Sequence, residues 1–253
     1  MSLDMARMAC ADGITTTVCT PHILPTVYDN AGPQIKAAVT SLQEALSSAD
    51  IPLRLLSGAD VHLVPDLLSG LKDGRILTLA GSRYLLLEPP HHVMPPQFAD
   101  CIFRFQSAGY VAILTHPERL SWIEPQYALV PGMVHKGLWI QLTAGSLTGR
   151  FGQGPRYWAE RMLDEGLCHV MATDAHNISS RPPHLSKAQA MVEHRLGAAE
   201  AANIFGIRPR GVLDNLSPAK LPALPAGDLS QEPMQSGWKG LAQRIRMRIG
   251  TTN

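Results

Sequence analysis

Tyr84-Leu85-Leu86-Leu87-Glu88-Pro89-Pro90-His91-His92 and Val111-Ala112-Ile113-Leu114-Thr115-His116-Pro117-Glu118-Arg119 share one grammar. A short apolar run ends abruptly in a carboxylate or an imidazole, and a proline follows. Runs of this length without polar alternation read as strands covered on both faces, the habit of parallel α/β sheets. Proline supplies no backbone N–H and closes each run.

The same reading extends along the chain. Further strands are predicted over Ile14–Cys19, Leu53–Leu56, Trp139–Thr143 and His169–Thr173. Helices are predicted between them: Leu3–Ala11, Gln34–Leu46 behind Pro33, Asp66–Leu71, Gln97–Ala108, Pro125–His135 and Pro155–Glu165. Two closing helices are expected over Leu185–Arg195 and Ala198–Phe205. Strand followed by helix, with no hairpin signal, predicts a parallel α/β structure. A βα barrel is the favoured closure and an open doubly wound sheet the alternative. From Ser217 the character changes: Pro218, Pro222, Pro225 and Pro233 with Gly, Ser and Gln predict a linker. The expected organisation is therefore one domain over 1–216, then a linker and short basic tail over 217–253.

Composition narrows the function classes. Of 253 residues, 45% are hydrophobic and 17% charged, enough for a packed core. Lys and Arg total 22 against 21 for Asp and Glu, so no basic excess points to nucleic acid. No apolar run approaches the roughly 20 residues of a membrane span, and the opening MSLDMARMACADG has no signal-peptide core. A soluble, cytoplasmic protein is expected. Cys10, Cys19, Cys101 and Cys168 form no CxxC pair and read as packed free thiols. The residues six positions after them are Thr16, Pro25, Ser107 and Asp174; none is Arg, which excludes a cysteine-phosphatase loop. GxxxxGK[ST], GxSxG and GxGxxG are all absent.

Chemistry collects where strands end. Thr20-Pro21-His22, Gly58-Ala59-Asp60-Val61-His62, Glu88-Pro89-Pro90-His91-His92, His116-Pro117-Glu118-Arg119 and Asp174-Ala175-His176-Asn177 all follow predicted strands. In an α/β barrel those ends converge on one face. Converging imidazoles and carboxylates suit a borderline divalent ion such as Mn²⁺, Fe²⁺, Co²⁺ or Zn²⁺. His62, His91 and His92 rank below the others, since spacing alone does not orient them. Arg119 and Arg181 stand at the same rim, and a guanidinium fork matches a phosphate dianion. In the tail, Trp238, Leu241, Ile245 and Ile249 share a helical face with basic neighbours, which allows a weak membrane-surface contact through 238–249.

TPH, GAD, LLLEPP, LTHPERL and ATDAHN…RPP, in this order and spacing, resemble the bacterial manganese-dependent protein-tyrosine phosphatases of the polymerase and histidinol phosphatase (PHP) superfamily that accompany capsule and exopolysaccharide synthesis. The resemblance spans about residues 2–216. It implies a distorted seven-stranded (β/α) barrel of PHP type with a metal cluster at its C-terminal mouth. It also implies hydrolysis of phosphotyrosine on the tail of a membrane-associated chain-length kinase. The metal ligands carried over are His22, Asp60, Glu88, His116, Asp174 and His176, with His116, Arg119 and Arg181 as the catalytic and phosphate-binding set. Two departures stand out. Asp60 replaces a frequent Glu, and Ser2-Leu3-Asp4-Met5-Ala6 matches the family's first helix, so the preceding His-x-His strand is expected to be missing. Two alternatives remain open: a small-molecule phosphomonoesterase of the same superfamily, and a catalytically silent scaffold that binds the kinase tail.

Overall fold

Eight short strands follow one another in chain order in the computed structural model, which describes residues 1–225: β1 (Thr16–Cys19), β2 (His22–Ile23), β3 (Arg54–Ser57), β4 (Asp60–His62), β5 (Tyr84–Glu88), β6 (Val111–Thr115), β7 (Trp139–Thr143) and β8 (Val170–Ala172). All pairings between these strands are parallel. β1 pairs with β3, and β2-β4-β5-β6-β7-β8 form a six-stranded sheet. The two sheets are one ladder with a hinge. Thr20-Pro21 separates β1 from β2, and Gly58-Ala59 separates β3 from β4. Two backbone bonds cross the interruption, Gly58 N–H to the Cys19 carbonyl (3.0 Å) and Asp60 N–H to the Pro21 carbonyl (3.2 Å). A Cβ on Gly58 would meet Val18 Cγ1 at 2.8 Å, so the crossing requires glycine.

Strand order never reverses, whereas a doubly wound sheet must reverse at its switch point. The open doubly wound alternative is therefore set aside. Among the described residues, β2 and β8 each pair on one side only.

The predicted elements match closely at Ser2–Ala11, Gly32–Ser48, Phe98–Ser107, Gln153–Asp164 and Ser186–Leu196. Two expected helices break. Over Pro125–His135 the chain forms Ile123–Gln126, a 3₁₀ turn at Tyr127–Leu129 and Val130–His135, with Pro131 at the start of the last piece. The closing helix runs past Phe205 through a π turn at Asn203–Ile207 into Arg208–Leu213, again restarted by a proline.

Alternation along the strands splits the core in two. Leu85, Leu87, Ala112, Leu114, Ile140 and Leu142 face the large helix-covered cluster. Tyr84, Leu86, Val111, Ile113 and Trp139 face a second, smaller cluster. This second face changes character along its length. Tyr84–Leu86 leads to Glu88, Val111–Ile113 to Thr115, and Trp139 to Gln141 and Thr143, all buried. One face of the sheet is thus apolar at its base and polar at its C-terminal end, and that polar end carries the candidate site.

At the base, Arg208 is fully buried and bonds Glu200 Oε1 at 2.7 Å. It also donates to the Pro222 and Ala223 carbonyls (3.0 and 2.8 Å). Residues 218–223, assigned to the linker by composition, are held to the body by this guanidinium and by Leu221, which packs against the second cluster and Gly211; the tail over 238–249 lies outside the described residues.

His169, nearby, accepts the Ile140 N–H at Nδ1 (3.0 Å) and stacks on Trp139 at 4.6 Å. Burial, then the Arg208 charge, pushes its pKa from 6.5 down to about 3. The folded state refuses a proton that the unfolded state accepts. Its stabilising effect is complete above pH 6.5 and drains away as pH falls from there toward 3. Moving from pH 7.5 to 5.5 is expected to remove about 1 kcal/mol through this group. Urea midpoints at the two pH values check this: His169→Gln loses that increment of pH dependence relative to the parent chain.

Candidate metal centre

Register sets the site. His22 lies opposite Asp60, and His62 opposite Glu88, on adjacent parallel strands. Asp60 and His62 are two residues apart and share a face. The Asn30 side chain donates to the His22 carbonyl (2.8 Å) and holds the loop after β2. Across the sheet, Trp122 Nε1 donates to the Pro90 carbonyl (2.9 Å), and Ser121 bonds the His91 carbonyl through both N–H and hydroxyl. These pin the loop after β5 and fix His91. His116 sits at φ 37° and Asp174 at φ 48°, left-handed backbone that a residue with a Cβ rarely adopts. Such strain, about 1–3 kcal/mol per residue, persists where surrounding structure demands a particular side-chain aim.

Glu88 is the hub. Its Oε2 lies 3.0 Å from His22 Nδ1 and 2.9 Å from His62 Nε2. Its Oε1 lies 3.5 Å from His116 Nε2 and 3.9 Å from His91 Nε2. Two trios result, His22–His62–Glu88 and Glu88–His91–His116, each with donor atoms within 4.8 Å of one another. One carboxylate offers a different oxygen to each trio.

The donors fit a cation better than they fit one another. His22 Nδ1, His62 Nε2 and Glu88 Oε2 are buried and, despite their proximity, make no aligned hydrogen bond; His116 Nδ1 is likewise without a partner. Buried polar atoms left so cost about 1–3 kcal/mol each, and a shared cation satisfies several at once. Electrostatics agree. Burial alone would raise the Glu88 pKa, but His22, His62 and His116 hold it well below the carboxylate range. Asp60, buried and beside Glu88, is pushed up to about 7 by burial and then by the Glu88 charge. Two buried carboxylates whose only ion-pair partners among the described residues are imidazoles make a cation-seeking field. Burial lowers His116 to about 4, which keeps it neutral and ready to ligate.

The other sequence candidates sit around this hub. Asp60 Oδ2 is 3.9 Å from His22 Nδ1, while Oδ1 accepts the Thr115 hydroxyl (3.0 Å). Asp174 joins neither trio: its Oδ2 accepts Arg119 Nη1 (2.7 Å) and Arg181 Nη2. His176 is 43% exposed and its Nδ1 lies 3.0 Å from the Asp174 carbonyl. His92 stands outside both trios, 6.1 Å ring to ring from His91. His62 and His91, ranked lower in sequence, join the trios. His62 was readable from its two-residue spacing to Asp60; His91 was not, because loop closure places it.

Arg119 and Arg181 converge on one carboxylate oxygen and lie over the Phe151 ring, 4.5 and 5.8 Å from its centroid. Phe151 escaped sequence reasoning altogether. Gly145 leaves its seat open, since a Cβ there would meet Phe151 Cε2 at 2.9 Å. Glu118 anchors the intervening turn by accepting Thr143 N–H (3.0 Å) and the Ser146 hydroxyl (2.7 Å).

The arrangement pairs a donor cluster suited to two cations with two guanidinium groups at its edge, and known proteins carry the same combination of sequence and fold. The chain is 32% identical over 197 residues to tyrosine-protein phosphatase YwqE of Bacillus subtilis, covering 78% of each. It is 26% identical over 206 residues to tyrosine-protein phosphatase CpsB of Streptococcus pneumoniae, covering 79% of this chain and 85% of that protein. A solved structure from work on these two proteins, there called unique metal-dependent tyrosine phosphatases, superposes with a TM-score of 0.80 at 30% identity, over 85% of this chain and 87% of that one. The family profile for capsular polysaccharide synthesis, CpsB/CapC, matches residues 1–214. With sequence and fold in agreement over most of its length, the chain belongs to the CpsB/CapC family of capsular polysaccharide synthesis.

Proposed function

We propose that this chain is a metal-dependent protein-tyrosine phosphatase that acts on the phosphotyrosine tail of a polysaccharide-synthesis kinase. The observation that carries the reading is the Glu88 hub, with two donor trios beside two arginines that share Asp174. In this reading His22, Asp60, Glu88, His116, Asp174 and His176 hold the ions, joined by His62 and His91. Mn²⁺ is the proposed ion, and the mixed imidazole and carboxylate set supports it as a borderline case. When bound, divalent ions supply activated water at neutral pH and neutralise charge on a phosphoryl group.

The chain's own groups do the rest. Arg119 and Arg181 bind the phosphoryl oxygens through their forks, and Phe151 keeps the two guanidinium planes beside one another. Asp174 holds both forks at the rim before substrate arrives. His116, neutral and fixed by its left-handed backbone, orients one side of the Glu88 hub.

For the architecture we propose a distorted PHP-type barrel over 1–216, in which the free edges of β2 and β8 flank the place of a further strand. Arg119, after β6, pairs with Asp174, after β8, at 2.7 Å across the end of β7, and this supports curvature toward closure. No helix among the described residues is long and apolar enough to cross a membrane, and a cytoplasmic site of action is part of the same proposal.

Phosphate release from a phosphotyrosine peptide tests the reading. Chelator-treated protein is expected to be inactive and to recover on adding Mn²⁺, with His116→Ala inactive under both conditions. Full activity of His116→Ala would contradict it.

A further inference from the structure

A cavity of about 320 Å³ includes Arg181 in its lining, together with Phe151, Arg150, His184, Lys187 and Asp12 among others. It shares Arg181 and Phe151 with the candidate site, so a peptide whose phosphate reached the two arginines would have this opening beside it.

The charges in it are unevenly matched. Asp12 is the one carboxylate in the lining, and its oxygens are committed. Oδ2 accepts the Leu185 and Ser186 N–H groups (2.6 and 2.9 Å), capping helix Ser186–Leu196, while Oδ1 takes the Ser186 hydroxyl and faces His184 at 3.4 Å. Arg150 donates only to the Ser179 and Ser180 carbonyls (3.3 and 3.0 Å), which position its guanidinium and leave its charge uncompensated. Among the described residues neither Arg150 nor Lys187 has a carboxylate within ion-pair distance. Two free cations at the mouth of a cavity that adjoins a dianion-binding pair form a field that attracts further negative charge.

We infer that this cavity is a substrate subsite for an acidic side chain flanking the phosphotyrosine, with Arg150 and Lys187 as its specificity-determining groups. The inference rests on the phosphatase reading and deepens it: the preferred substrates are tyrosines in Asp- or Glu-containing segments. Phe151 then serves two compartments, seating Arg119 and Arg181 on one side and walling the subsite on the other.

Three phosphotyrosine peptides of equal length, flanked by Glu, Gln or Lys, test this with the full chain and Mn²⁺. The Glu peptide is expected to exceed the Gln peptide in kcat/KM by about 5–10-fold, chiefly through KM, with the Lys peptide below both. In Arg150→Glu with Lys187→Glu the Glu-to-Gln ratio is expected to fall to about 1 or below. The advantage is also expected to shrink as salt is raised. Equal use of the three peptides by the unmodified chain would overturn the subsite, as would a preference that survives in the double variant. Failure to hydrolyse any of the peptides, or p-nitrophenyl phosphate, would instead strike the phosphatase reading and remove the subsite along with it.

Discussion

Glu88→Gln is expected to lower phosphate release by about 10³-fold or more, because one substitution disables both trios. The side chain keeps its size and stays buried, so packing changes little. What disappears is the anion that His22, His62, His91 and His116 surround at 2.9–3.9 Å. An amide offers one neutral oxygen where the carboxylate offers two charged ones, so it cannot serve both sides. Calorimetric titration with Mn²⁺ separates this from a folding defect: the variant should show an ordinary urea midpoint and strongly weakened binding. His62→Gln and His91→Gln each touch one trio only, and their losses should be smaller than that of Glu88→Gln.

The second large effect belongs to the arginines. Arg119→Ala and Arg181→Ala are each expected to reduce kcat/KM by about 10²–10³-fold, with Mn²⁺ affinity retained. Lysine restores charge without the fork, so Arg119→Lys and Arg181→Lys should recover only part of the loss. Both guanidinium groups share Asp174 and Phe151, so the double variant should lose less than the product of the single losses. Steady-state kinetics on one phosphotyrosine peptide checks all five variants.

Much of this was legible in the chain because strand ends punctuate themselves. Leu85–Leu87 into Glu88 and Ile113–Thr115 into His116 place both strand and donor, and the structure keeps those positions. The parallel order was legible for the same reason. The breaks at Thr20-Pro21 and Gly58-Ala59, which turn one ladder into two sheets, were not. They reflect how the hinge packs against Val18, a tertiary fact.

The site shows the same division. Glu88 ends β5, His116 follows β6 directly and His22 opens β2 just past β1, so strand boundaries bring all three to the hub. His62 obeys strand alternation and could have been ranked beside Asp60 on that ground. His91 depends on Ser121 and Trp122 gripping its loop from the next crossover, contacts no local pattern announces. Asp174 was expected as a ligand from resemblance, and its bonding joins Arg119, in the turn after β6, with Arg181, in the loop after β8. Phe151 stands in a loop after β7, where the strand end itself offers no titratable group.

In the proposed centre Glu88 serves two ions at once. Anomalous diffraction from crystals of the full chain grown with Mn²⁺, collected at the manganese edge, tests that most directly. Two peaks are expected, roughly 3.5–4 Å apart as in two-metal sites, one among His22, His62 and Glu88 and the other among Glu88, His91 and His116. A single peak away from Glu88, or none between these side chains, would contradict it.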